Sequence, residues 1–148
     1  MSKNITIALA ADHAGYELKE YIRKYLEASN FTYVDFGTHN TESMDYPDVI
    51  HPLCDAVNSN KADLGIIFCG SGNGVNITAN KHKGIRSALC WMPELAKLAR
   101  EHNNANVIAL PARFINESTA KDIVDAFLSA EFEGGRHQRR VDKIESCM

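Results

Sequence analysis

Apolar runs alternate with helix-spaced apolar positions from one end of the chain to the other. Ile5–Ala11 reads ITIALAA, the kind of run that is buried on both faces of a parallel sheet. Leu18, Ile22 and Tyr25/Leu26 follow at helical spacing, and Phe31–Phe36 reads as a second strand ended by Gly37. Pro47 suits the first turn of a helix carrying Val49, Ile50, Leu53, Cys54 and Val57, and Pro52 inside it should kink or delay that helix. Leu64–Cys69 (LGIIFC) is a third buried strand, stopped by Gly70-Ser71-Gly72-Asn73-Gly74. The pattern then predicts a helix over Val75–His82, a strand over Ile85–Cys90 and a helix over Pro93–Asn103. A fifth strand over Asn106–Leu110 and a helix over Asn116–Ala130, N-capped by Asn116, follow. Gly134-Gly135 breaks the chain before a final helical arm.

This alternation predicts an α/β, Rossmann-like three-layer sandwich: a five-stranded parallel sheet, helices on both faces, and the C-terminal arm. Ligands of such sheets sit beyond the carboxyl ends of the strands. Those ends are Asp12-His13, residues 37–46, Cys69–Gly74, Trp91-Met92 and Pro111–Arg113. The 148 residues match one domain of about 150, so residues 1–148 are expected to form a single domain, with 134–148 as its arm.

The net charge of −3 argues against a nucleic-acid binder, but it is unevenly spread. Residues 134–148 carry +2 and residues 1–133 carry −5. The four cysteines, Cys54, Cys69, Cys90 and Cys147, form no CxxC pair, which fits free thiols in a reducing cytoplasm. No apolar run approaches the roughly 18 residues of a membrane helix.

The loop after the third strand concentrates the candidate chemistry. Its glycines let backbone N–H groups converge, and the following helix adds its positive end, which makes an anion site. A glycine-rich turn without a ligand has the same composition. Cys69 stands against that helix start, a position that favours a thiolate, although a buried inert thiol is the commoner case and the reading for Cys54 and Cys90. Cys147 is read on a frayed end. A cysteine phosphatase would need an arginine six residues after Cys69, and position 75 is Val. A general base needs only the thiolate, a hydroxyl relay such as Ser71, and N–H donors for an oxyanion.

Other residues stay open between two readings. His102 either complements its helix dipole or takes part in chemistry. Arg136 and Arg140, four apart, are either a solvated basic face or a phosphate clamp that can reach a neighbouring subunit. Arg113 directly follows the fifth strand and can reach the ligand edge. His39, His51, His82 and His137 have no constellation around them and read as surface groups, and no pair has metal-ligand spacing.

Several blocks in order resemble the type B ribose-5-phosphate isomerases and their galactose-6-phosphate isomerase relatives. They are Asp12-His13-Ala14-Gly15, Asp45-Tyr46-Pro47, Cys69-Gly70-Ser71-Gly72-Asn73-Gly74, Ala79-Asn80-Lys81, Gly84-Ile85-Arg86, Arg100–Asn106 and Gly135-Arg136-His137-Gln138-Arg139-Arg140. The resemblance implies interconversion of ribose 5-phosphate and ribulose 5-phosphate, without metal or organic cofactor. It also implies a homodimer or homotetramer with the site at the subunit interface. It makes Cys69 the base, in contrast to members that lack it and carry Glu at the position of Val75. Ser71 becomes the relay, at a position where members often carry Thr, and His102 the acid that opens the sugar ring. Asp12, His13, Tyr46, Gly70, Gly72, Asn73, Gly74 and Asn103 would bind the sugar, and Arg113, Arg136 and Arg140 its phosphate. Rival readings are an allose-6-phosphate or galactose-6-phosphate isomerase and a non-catalytic phosphosugar sensor. A receiver domain is disfavoured because Cys69 stands where that fold needs aspartate.

Overall fold

Each central strand sends alternate side chains to opposite faces, and both faces are apolar. In a computed structural model describing residues 4–148, the elements are β1 (Thr6–Ala11), α1 (Tyr16–Ala28), β2 (Thr32–Asp35), α2 (Pro47–Asn58), β3 (Leu64–Cys69) and α3 (Asn73–Ala79). They continue with β4 (Ser87–Leu89), α4 (Pro93–Asn103), β5 (Val107–Pro111), α5 (Glu117–Ser129) and α6 (Arg136–Asp142). Residues 1–3 of the expected domain lie outside the described residues.

All pairings are parallel, in the order β2-β1-β3-β5-β4. Ile7, Leu9, Ile66, Phe68, Ile108 and Leu110 pack with α1, α4 and α5. Ala8, Ala10, Ile67, Cys69, Val107 and Ala109 face α2 and α3. The expected three-layer α/β sandwich is therefore the observed one. No helix of the described residues is long and apolar enough to cross a membrane.

Several boundaries differ from the sequence reading for local reasons. Instead of Val75–His82, α3 spans Asn73–Ala79. Gly72 takes φ +78, a left-handed turn that glycine enters without Cβ strain, and this starts the helix early. Asn80 then ends it by bonding both backbone groups of Ser87, at 2.9 and 2.8 Å. The outer strands are shorter than their apolar runs: β2 is Thr32–Asp35 and β4 is Ser87–Leu89. Cys90 N–H still donates to Ala109 C=O, at 2.9 Å, so the β4 ladder fades rather than stops.

Pro52 neither delays nor interrupts α2, which begins at Pro47 and runs to Asn58. Pro52 removes one donor that would reach the Asp48 carbonyl, while Ile50, Leu53, Cys54 and Val57 hold the helix on the sheet. α4 and α5 match the predicted spans to within one residue. Asn116 caps α5 by accepting the Thr119 N–H at 2.8 Å.

Lys19 is fully buried. Its ammonium meets Asp35 at 2.6 Å and Glu20 at 3.3 Å, and Asp35 also accepts the Gly37 N–H at 2.9 Å. This ties α1 to the end of β2, where the loop toward Tyr46 begins.

Candidate active site

Four of the five strand-end segments converge at the carboxyl edge. A cavity of about 520 Å³ there is lined by Asp12, His13, Ala14, Tyr46, Cys69, Gly70, Ser71, Gly74, Arg113 and Phe114. The fifth segment, Trp91-Met92, is not among its walls. The volume is in the range of small-molecule sites, roughly 300–1,000 Å³.

Cys69 is the last residue of β3 and only 5% exposed. Its carbonyl accepts the Ala112 N–H at 2.9 Å and the Gly70 carbonyl accepts that of Arg113 at 3.0 Å, which fixes the loop against the end of β5. The Arg113 guanidinium lies over Gly70, where a Cβ would stand 3.0 Å from Nη1. Ser71 is exposed and its hydroxyl accepts the Asn73 N–H at 3.2 Å. The Tyr46 ring lies against Gly74.

Asp12 is buried, and its Oδ1 accepts the N–H groups of Ala14 and Gly15, both at 3.0 Å. It therefore shapes the turn into α1 and has Oδ2 left for a ligand. His13 accepts the Met44 N–H on Nδ1 at 3.2 Å. In the neutral ring the hydrogen is then on Nε2.

A second constellation lies at the opposite edge. α4 returns from the end of β4 to the start of β5, so its last residues, His102 and Asn103, sit at the amino edge of the sheet. There α6 docks on α4. The His102 and His137 rings stack, with centroids 4.2 Å and planes 11° apart. Glu133 Oε1 is 3.7 Å from His102 Nε2 and 3.5 Å from His137 Nε2. Arg136 and Arg140 are exposed on the same arm, with Arg140 donating to the Arg136 carbonyl at 3.2 Å. Asn103 lines a neighbouring groove with Arg86, Ile144 and Met148. Within one chain, then, Cys69, Ser71, Asp12, His13, Tyr46 and Arg113 come together, and His102, Asn103, Arg136 and Arg140 stand apart from them.

Three readings of lone residues need correction. His137 is not a bare surface group, because it stacks on His102. His51 and His82 are paired as well, Nδ1 to Nε2 at 2.6 Å. Their partners lie 31 and 35 positions away in sequence, beyond the reach of any local motif. The end of the chain is less frayed than expected, since Glu145 accepts the Gly84 N–H at 2.6 Å, although Cys147 itself is exposed. Cys54 and Cys90 are buried, and burial pushes both thiols up to about 12.

Comparison with known proteins bears on this site. Residues 7–144 match the model of the Ribose/Galactose Isomerase family. Ribose-5-phosphate isomerase B of Escherichia coli is 44% identical over 138 residues, 93% of each chain. The crystal structure of a ribose 5-phosphate isomerase from Thermotoga maritima superposes with a TM-score of 0.95 at 49% identity, covering 97% of this chain and 99% of that one. That of ribose-5-phosphate isomerase B from Mycoplasma genitalium with bound ribulose-5-phosphate gives 0.94 at 45% identity, covering 99% and 97%. With its glycine loop, its thiol at the end of β3 and its arginine arm carried on a fold this similar, the chain belongs to the ribose/galactose isomerase family.

Proposed function

We propose that this chain interconverts D-ribose 5-phosphate and D-ribulose 5-phosphate through an enediolate, without metal or organic cofactor, in the pentose phosphate metabolism of the cytoplasm. The observation that carries this reading is one cavity holding a thiol, Cys69, and a cation suited to phosphate, Arg113. Its family membership and the ribulose-5-phosphate-bound relative support the same substrate class.

The sugar ring opens first, because only the open aldehyde has an acidic C2 proton. The Cys69 thiolate then takes that proton, and negative charge develops on O1 and O2. N–H groups of residues 70–74 stabilise it, each worth about 3 kcal/mol when preorganised. Ser71 relays a proton between the oxygens, and Cys69 returns its proton to C1 to give the ketose. Asp12, His13 and Tyr46 orient the sugar. Arg113 grips the phosphate, away from the reacting carbon, where binding energy can be used for orientation.

His102 is assigned as the acid that opens the ring, beside Asn103, with Arg136 and Arg140 as the rest of the phosphate clamp. Since these stand at the other edge of the sheet, the site we propose is shared: Cys69 of one protomer works with the partner's His102, in a homodimer or a pair of such dimers. Phe114, on the cavity rim and 75% exposed, is an apolar side chain that a second copy would cover. The deciding assay incubates the purified protein with ribose 5-phosphate, allose 6-phosphate and galactose 6-phosphate and follows ketose formation. Ketose from ribose 5-phosphate, faster than from either six-carbon sugar, is expected. A six-carbon preference would move the assignment to the rival sugar, and no turnover of any would favour a sensor.

A further inference from the structure

The arm and the end of α4 together hold a donor set that the isomerase reaction does not need as a set. His102, Glu133 and His137 each offer one ligating atom, all within 4.8 Å of one another. Both imidazoles approach the same carboxylate oxygen, at 3.7 and 3.5 Å. Those gaps are longer than hydrogen bonds of about 2.7–3.2 Å. The two histidine–carboxylate gaps are close to the edge of a ligand tetrahedron, since donors about 2.0–2.1 Å from a zinc ion sit about 3.4 Å from each other, and the histidine–histidine edge would close to that length as the ion binds.

The set is held in place by the backbone. Glu133 N–H donates to the Glu101 carbonyl at 3.0 Å, so the Glu133 backbone is anchored to α4 one residue before His102. His137 N–H donates to the Gly134 carbonyl at 3.0 Å; the two rings stack with planes 11° apart, so one imidazole must turn about its side-chain bonds to aim its lone pair at a shared ion. In the single chain the side chains of His102 and Glu133 are 39% and 52% exposed; in the proposed dimer an ion would reach them by the route the sugar phosphate takes to His102.

We propose that His102, Glu133 and His137 bind a transition-metal dication, Zn²⁺ foremost, and that occupancy switches the isomerase off. Two imidazoles and one carboxylate suit Zn²⁺ and its neighbours in the first row, whereas Mg²⁺ and Ca²⁺ take oxygen donors. Three protein ligands leave a fourth position for water. Binding exchanges metal-bound waters, and any proton on the ligating nitrogens, for protein donors, with no change of oxidation state. The metal then occupies His102 Nε2, which can no longer deliver a proton to the sugar ring. This inhibitory consequence rests on the role assigned to His102 above; the binding itself does not. The guanidinium groups of Arg136, Arg139 and Arg140 oppose a cation, but they are exposed and screened over about 8–10 Å.

The test uses the full chain, stripped with EDTA and carrying Cys147→Ser to remove the exposed thiol. Co²⁺ is titrated in as a spectroscopic probe, and Zn²⁺ is then added in competition. Visible d–d absorption saturating at one Co²⁺ per chain and bleached by Zn²⁺ is expected. It should persist in Cys69→Ser and weaken at least about tenfold in affinity in both Glu133→Gln and His137→Asn, with circular dichroism unchanged. Zn²⁺ should abolish isomerisation reversibly, and Glu133→Gln should raise the concentration needed by about tenfold or more. Absent d–d bands, bands indifferent to both arm variants, or a thiolate charge-transfer band lost in Cys69→Ser would overturn the proposal. A site that forms on a stripped chain without isomerase activity would uphold the metal site and remove the functional reading instead.

Discussion

Cys69 and His102 stand at opposite edges of one parallel sheet. Cys69 closes β3 at the carboxyl edge, and His102 ends α4 where the chain turns into β5 at the amino edge. A base and an acid that act on one sugar cannot be this far apart within one site. The proposed reaction therefore requires two copies of the chain facing each other, with each half open to a separate test.

Arg113 belongs to the Cys69 half. It lies over Gly70 and lines the same cavity, and in the proposed site it would hold phosphate rather than move protons. Arg113→Gln should raise KM for ribose 5-phosphate by about tenfold or more with a much smaller change in kcat, the signature of lost uniform binding. Steady-state kinetics check this, and an unchanged KM would put Arg113 outside the phosphate grip.

Much of this was legible in the chain because it is encoded locally. LGIIFC forms β3 with the predicted ends, Pro93 starts α4, and Asn116 caps α5. The glycine loop and the run after β5 reach one cavity because parallel strands put their carboxyl ends together. What was illegible depends on long-range packing. Nothing in the local pattern marks Lys19 for burial, and only the arrival of Asp35 from β2 makes that burial tolerable. His137 gains meaning only when the arm folds back on α4, and no spacing in sequence announces that. The separation of His102 from Cys69 was readable, since a helix between two parallel strands must end at their amino edge; what the element order does not reveal is the arm that packs there.

The Lys19–Asp35 pair should be strongly asymmetric under mutation. Asp35→Ala leaves a fully buried ammonium with only Glu20 at 3.3 Å and should cost about 3–5 kcal/mol. Lys19→Met removes the buried charge and leaves Asp35 partly exposed and bonded to Gly37 N–H, so its loss should be smaller. Thermal unfolding of both variants decides the matter, and the reverse order of stability would contradict it.

The thiols should divide by exposure. Cys54 and Cys90 are buried with thiols raised to about 12, so they stay protonated and shielded at neutral pH. Iodoacetamide at about pH 8 should modify Cys147 in the folded protein and reach Cys54 and Cys90 only after denaturation. Mass spectrometry of the labelled peptides tests this. Native labelling of Cys90 as fast as Cys147 would mean that its side of the sheet opens freely.

The shared site is tested most directly by mixing two inactive proteins. Cys69→Ala and His102→Ala should each lose nearly all turnover of ribose 5-phosphate while keeping wild-type circular dichroism. After subunit exchange, half of the dimers would be mixed, and each would contain one intact site, with Cys69 from one chain facing the partner's His102. Activity should then recover to about a quarter of wild type. No recovery, in a mixture shown by mass to contain the mixed dimer, would contradict a site built from two copies of this chain.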